Sequence, residues 1–446
     1  MAIGNLELHN ALDAGFDEAP DNTGAIHETS VELNEATAQL REALYRVNRA
    51  RKHTESLVEA KVHLSNYDGS EETEPDAVIG LGELKNAAAM GEMPEPTTLV
   101  GSMESFSNAN APYIVKAGLE SISGLIATGL KALVRLIIEA IKAVGNIFKS
   151  IHKVMQQRRL DSKKSYDMVS KAVERYTEPE QFEVHFQNKD SSAIIWPPSN
   201  AGGETGSSDI ADAINRMSKS IELSIYHLFM PLCGYTNLSI SSVNRMLDTH
   251  PDVVNPEQYW VAFPNNIYNG TTGVATWDKP AGNVVERMLD LGIGGLRIKT
   301  TVPVSLIRNA KPSDVEETRK ALRVVTNGFS IKLEINKDDI PKNRVVYGIS
   351  TKAEAGELHT AISNLASTID RLDFEREIKG MEKTLTSLMN DKSKLASNAE
   401  YEYVPLEILS AVSAVNNNLF NLVQTLPVEA TKVINVANVY MRLSSL

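Results

Sequence analysis

Cysteine is almost absent from this sequence, so the fold must be held by packing alone. Cys233 is the only one and no internal disulfide can form. It lies in "HLFMPLCGY", among apolar neighbours, which predicts a buried, inert thiol and not a nucleophile. The opening "MAIGNLELHNALDAGFDEAP" lacks the basic start and apolar core of a signal peptide, which predicts synthesis in the cytoplasm. No glycine-rich phosphate loop, no GxSxG and no HExxH occurs, and the nine histidines are scattered. "GLGEL" and "LGIGGLR" carry glycines without the strand and helix order that cradles phosphate, and read as turns. Asp248, His250 and Asp252 in "LDTHPD" resemble ligands but read as a polar loop before proline, and "NKDD" at Asn336 to Asp339 reads as a solvated hairpin end. Asn237 and Asn269 begin glycosylation triplets, which carry no meaning without a secretory signal. No catalytic, metal or cofactor residues are therefore predicted. An enzyme whose groups meet only in the fold, within 181–350, stays open as an alternative.

Basic charge is scarce at the front. Residues 1–104 hold 20 acidic against 7 basic residues, a net of −13, while the remaining chain holds 37 against 38 and is nearly neutral. The chain therefore reads as an acidic leader joined to a neutral body. No basic run with interleaved aromatics occurs, so sequence-specific nucleic-acid binding is not predicted.

Periodicity divides the chain further. Residues 31–66 read as one helix with Leu33, Ala36, Leu40, Leu44, Val47 and Leu57 near one side, capped by Thr29 and Ser30. Residues 67–112 lose the period and read as a linker rich in acids, Pro, Gly and Ser. A long helix, with breaks, is predicted from about Tyr113 to Tyr176. Between 181 and 350, "FEVHF", "AIIW", "QYWVAF", "GVATW", "LRIKTTVPVSLI", "FSIKLEI" and "VVYGIS" read as strands; "SSDIADAINRMSKSIELSIYHLF", "AGNVVERMLDLG" and "SDVEETRKALRVVTNG" read as helices. From Ala353 the spacing of Leu358, Ile362, Leu365, Ile369 and Leu372 is a coiled-coil seam, resumed by Ile378, Met381, Leu385, Leu388 and Leu395. Two last helices, about 404–424 and 427–445, are predicted to part at Pro427. The predicted fold is α+β, mainly α: a bundle of long amphipathic helices (105–180 and 351–446, with 113–175 packing on the latter), an inserted α+β domain at 181–350, and an acidic, partly disordered leader at 1–104.

The greasiest stretch is "GLIATGLKALVRLIIEAIKAVGNIFKSIHKVMQQRR". On a helix, Lys131, Arg135, Glu139, Lys142, Lys149 and Lys153 fall in one stripe about 80° wide, and only Glu139 is acidic. The opposite side carries Leu125, Ile126, Leu133, Leu136, Ile137, Ile141, Val144, Ile147, Phe148, Ile151, Val154 and Met155, an arc of roughly half the circumference. Its charges break the run of about 18 or more residues that a membrane span needs. Two readings follow: a face of a buried bundle, or a basic helix for a membrane interface.

The segment "LVGSMESFSNANAPYIVKAGLESISGLIATGLKALVRLIIEAIKAVGNIFKSI" joins an acidic leader, a small-x-Glu triplet and a long amphipathic helix. In this organisation, over roughly residues 1–160, the chain resembles the internal head (ejection) proteins of large tailed bacteriophages. The resemblance implies a propeptide that directs the protein into the prohead, and cleavage by a prohead protease after a motif ending in Glu. Ser102, Met103, Glu104 and Ser105 match that motif, with the cut after Glu104. It further implies a non-enzymatic virion structural protein inside the capsid, partnered by other head proteins and the prohead protease, and ejected with DNA onto or through the host membrane. An α-helical membrane-active or pore-forming protein is the alternative.

Overall fold

The computed structural model describes residues 23–68, 70, 74–89, 111–175, 182–184, 204–248, 260–264, 276–281, 283–307, 314–335, 345–372, 375–390 and 403–445. In chain order the elements are α1 (Thr23–Asn66), α2 (Glu74–Ala89), α3 (Ala111–Val173), β1 (Glu204–Thr205), α4 (Ser207–Ser224), a π-helical turn (Ile225–Phe229), α5 (Met230–Asp248), β2 (Thr276–Ala281), β3 (Val284–Asp290), β4 (Leu296–Pro303), α6 (Val304–Ile307), α7 (Val315–Gly328), β5 (Ser330–Ile335), β6 (Val345–Val346), α8 (Lys352–Asp370), α9 (Glu375–Asn390) and α10 (Tyr403–Leu443). The fold is mainly α with a small antiparallel sheet.

The predicted breaks in the long amphipathic helix do not occur: α3 is one helix of 63 residues, about 95 Å long at 1.5 Å per residue. Ile126, Leu130, Leu133, Ile137, Ala140, Val144, Ile147, Ile151 and Val154 alternate by four and three, and all are buried. That heptad spacing requires a helical partner along its length. α1 supplies one, with Ala36, Leu40, Ala43, Val47, Ala50, Thr54, Leu57, Lys61 and Leu64 buried at the same alternation.

Cross-helix pairs set the directions. Asn48 meets Asn417 and Glu55 meets Ser410, so α1 and α10 are antiparallel. Arg46 reaches Glu139 on α3 at 3.1 Å, and Arg442 of α10 reaches Ser165 further along it at 3.2 Å. Glu139 to Ser165 and Asn417 to Arg442 cover nearly equal lengths in the same sense, so α3 runs parallel to α10 and antiparallel to α1.

Two expectations for the N-terminal part fail. Thr29 and Ser30 lie within α1, which starts at Thr23, and do not cap it. Residues 67–112 are not wholly linker, because Glu74–Ala89 forms α2 and folds back on α1. "GLGEL" is thus helical and not a turn. Gly80 sits where a Cβ would lie 2.8 Å from Leu64 Cγ and 2.9 Å from the Ala60 carbonyl oxygen, so only glycine allows this close crossing. His63 Nδ1, 2.9 Å from Asp76 Oδ1, closes the hairpin.

The region 181–350 divides. α4 packs on α8, where the Ser218 and Thr368 hydroxyls are 2.7 Å apart, and α5 packs on α9 and α10, where Thr236 donates to Asn416 at 3.2 Å. These helices belong to the bundle, because their apolar stripes match its grooves and not the sheet. The π-turn joins them: Pro231 has no N–H, and the register widens so that the Met230 N–H bonds the Ile225 carbonyl.

The four-stranded antiparallel sheet has the order β2-β3-β4-β5. "NVVERMLD", expected to be helical, is its second strand. Val284, Val285, Met288 and Leu289 fit either period over so short a run, and backbone pairing on both flanks decides for the strand. "LGIGGLR" does form a turn, with positive φ at Gly292 (78°), Gly294 (53°) and Gly295 (65°), and Asp290 Oδ1 accepts the Gly292 N–H at 2.7 Å. In "QYWVAF", residues 260–263 form no strand; Phe263 instead packs edge-on to Tyr235 and Phe329. "AIIW" lies outside the described residues. A second, two-stranded pairing joins β1 to β6 in parallel.

The sheet is tied to the bundle through α10. Asn418 accepts the Ile331 N–H at 2.9 Å and donates to the Phe329 and Ala414 carbonyls, so one side chain occupies the open edge of β5. Glu407 accepts from Arg323 of α7 at 2.6 Å. The expected division at Pro427 is overturned: α10 is continuous over 41 residues with Pro427 inside. Leu422, Val423, Leu426, Ala430, Val433 and Ile434 are buried on both sides of it, and this burial outweighs a proline penalty of about 3 kcal/mol.

Two substitutions test these attachments by urea unfolding. Pro427→Ala restores a backbone donor and is expected to raise the unfolding free energy by about 1–3 kcal/mol. Asn418→Ala leaves the β5 groups without their partner and is expected to lower it by about 1–3 kcal/mol.

Candidate functional site

The candidate site is the face of α3 singled out by its charges and apolar arc. Leu133, Ile137 and Ile141 are completely or almost completely buried, and Phe148 is partly buried against the same core. Lys131 is half-buried, while Arg135, Lys142 and Lys149 stay exposed. The structure brings all eight together on one helix, with the apolar residues facing neighbours and the bases on the opposite, outward side. The Ser102, Met103, Glu104 and Ser105 motif lies outside the described residues, as do His250, Asp252 and Asn336 to Asp339.

The basic side is flanked by acids. Arg135 Nε lies 3.6 Å from Glu139, which also accepts from Arg46 of α1, and Lys142 lies 3.3 Å from Glu382 of α9. Glu375, at the start of α9, is held below its ordinary range by Lys379 first and Lys149 as well. These pairs are exposed and screened by solvent, and contribute little stability. They orient the neighbours of α3 more than they hold them.

The hold along α3 is uneven. Beyond His152 its partners are polar: Arg159 donates to Ser367 at 2.8 Å and to Asp370 at 3.3 Å, and His152 also pairs with Asp370. Ser162 lies 2.9 Å from His359 Nδ1, and the Tyr166 and His359 rings stack at 5.2 Å. Arg158 and Asp161 are buried together, and burial pulls the Arg158 guanidinium below its ordinary value more than Asp161 restores it. This polar lock to α8 and α10 was not anticipated from the sequence. Its only trace there is "QQRRLDSKKSY", where polar residues continue the helical phase without an apolar seam.

Before His152 the main cover is α1, with α9 beside it, and alanines recur in the α1 seam. Ala36, Ala43 and Ala50 occupy seam positions opposite larger aliphatics, and His53, Thr54 and Lys61 are buried within it. Glu55 marks a further weakness, beside Arg51 at 3.3 Å and Ser410 at 3.4 Å. Burial pushes its carboxyl up, Arg51 opposes this, and Glu407 and Glu59 add to it. Among the described residues no cluster of His, Cys, Asp or Glu could hold a metal, and burial pushes the Cys233 thiol up to about 12. No helix among the described residues is long and apolar enough to cross a membrane.

The raised Glu55 has a signed consequence. Its proton is held more tightly in the folded chain than in the unfolded one, so stability falls as pH rises from the ordinary carboxylate value through the raised one, and the full loss stands above it. Glu55→Gln is expected to raise the urea midpoint at neutral pH, with the gain shrinking as pH falls through the carboxylate range. A lower midpoint at neutral pH would show that the pairing with Arg51 outweighs burial.

No family model, curated protein or solved structure matches the chain.

Proposed function

We propose that this chain is a non-enzymatic structural protein of a tailed phage, packaged inside the head, trimmed at its N-terminus by a prohead protease, and delivered with the DNA toward the host envelope. The observation that carries this reading is the placement of the −13 charge. It is confined to residues 1–104, whose described helices, α1 and α2, form one hairpin against α3. A single cut after Glu104, in the segment between Ala89 and Ala111, frees the hairpin from the chain and leaves a body of +1 charge, which coexists with packed DNA phosphate far better than the intact chain.

The helices also narrow the cleavage site. Proteases need extended backbone, and the rival glutamates Glu35, Glu59 and Glu83, each two residues after a leucine, lie within α1 and α2, while Glu120, two residues after Gly118, lies within α3. Glu83 was expected to share the linker and does not. Glu104 and Glu71 lie outside the described residues and stay as the candidate sites nearest the boundary.

N-terminal sequencing of the protein from assembled particles is expected to read "SFSNANAPYIVKAG", beginning at Ser105. A Met1 or Ala2 start would defeat processing, and a start at Glu72 would move the cut to the α1–α2 connection and leave α2 in place.

A further inference from the structure

We infer that the α1–α2 hairpin is an inhibitory cover, and that its departure exposes on α3 a surface for an anionic lipid bilayer. This rests on the proposed function only for its natural trigger, the cut that severs residues 1–104.

Four features of the structure point the same way. The first is the inequality of the seam. α3 contributes Ile126, Leu130, Leu133, Ile137, Val144, Ile147 and Ile151, whereas α1 answers with alanines, Thr54 and Lys61 at many of its positions. Small side chains bury little apolar area, so the alanine levels of α1, which alternate with Leu40, Val47, Leu57 and Leu64, hold the face less than a second Leu-rich helix would. The second feature is the contact of α1 with α10, which runs through Asn48–Asn417 and Glu55–Ser410 at 3.3 and 3.4 Å, with Glu407 and Glu59 crowding Glu55.

Third, α3 does not depend on the hairpin for its place. Its distal half is locked to α8 and α10 through Arg159, Ser162 and Ser165, so the face stays presented by a fixed body when the hairpin leaves.

The fourth feature is charge. Lys131, Arg135, Lys142, Lys149 and Lys153 line the side of α3 opposite the seam with only Glu139 among them, and Glu139 is the residue that the hairpin's Arg46 engages. A helix with a wide apolar arc opposite a basic face lies in the plane of an anionic interface, with the lysine stems reaching back to the headgroups. The intact chain is barred twice, because the seam is covered and the leader adds −13 of repulsion. One cut removes both bars. No span is implied, because the charged face keeps the helix at the surface.

The test uses the full chain with a sequence-specific protease site inserted after Glu104. Vesicles of phosphatidylcholine containing one-third phosphatidylglycerol are mixed with cut and uncut protein and floated. Cutting is expected to raise the bound fraction at least about tenfold on these vesicles, with binding lost as salt rises, and to leave pure phosphatidylcholine unbound. A second variant, Arg46→Cys with Glu139→Cys, is bridged by a short bismaleimide before cutting; Cys233 is buried and does not compete. The bridged chain is expected to stay off the vesicles and its unbridged control to bind.

Equal binding by uncut protein, a hairpin that stays on the body after the cut, or a freed body that binds no vesicles would each overturn the inference. So would binding without lipid-charge or salt dependence, or a freed body that pairs with a second copy in place of lipid. The protease is supplied in the test, so its outcome is independent of the N-terminus found in particles. An intact Met1 in particles would defeat the processing reading and leave the cover standing.

Discussion

The rest of the structure depends on the need to bury the apolar arc of α3. Half the circumference of a 63-residue helix is too wide for any single neighbour, since a pairwise heptad seam covers only the a and d positions. The chain answers with several helices: α1 along the proximal half, α8 toward the distal half, and α9 and α10 beside them. Three of these come from the C-terminal part and one from the N-terminal part, so the two parts of the chain are brought together along α3.

α10 carries the second constraint. It lies along α1 and α3 and also receives α7 and β5, so the sheet is fastened to the bundle by one long helix. Asn418 shows how a side chain can stand in for a missing strand, accepting from one backbone group of β5 and donating to the carbonyl of the residue before it. This explains why Pro427 does not end the helix. The same continuous stripe must reach the α3 seam at one level and the Tyr347 carbonyl, which accepts from Tyr440 at 2.6 Å, at another.

Along α3 the two kinds of contact have different characters. Apolar contact with an alanine-rich partner is non-directional and separable, while the cluster of Arg158, Arg159, Asp161, Ser162 and His359 is directional and costly to break, because a half-removed buried network leaves polar groups unsatisfied. One helix is thus held by a directional polar network at one end and by apolar contact at the other. That gradient gives the proposed removal of the leader a structural outcome beyond a change in charge.

Much of this was legible in the sequence, for a local reason. The period of the α3 arc, the seam from Leu358 to Leu372, the start at Asp314 whose side chain accepts the Glu317 N–H, and the glycines of the β3–β4 turn are set by residues within a turn or two of one another. The sequence by itself determined that the chain is mainly helical with a small sheet, that Leu133, Ile137 and Ile141 face one way and Lys142 and Lys149 another, and that the negative charge lies at the front. Tertiary structure decided which partner covers the arc, that "VVERMLD" is a strand, that Glu74–Ala89 is helical and that Pro427 lies inside a helix. Each of those outcomes rests on contacts between residues far apart in sequence, where burial and backbone pairing override a weak or ambiguous local preference.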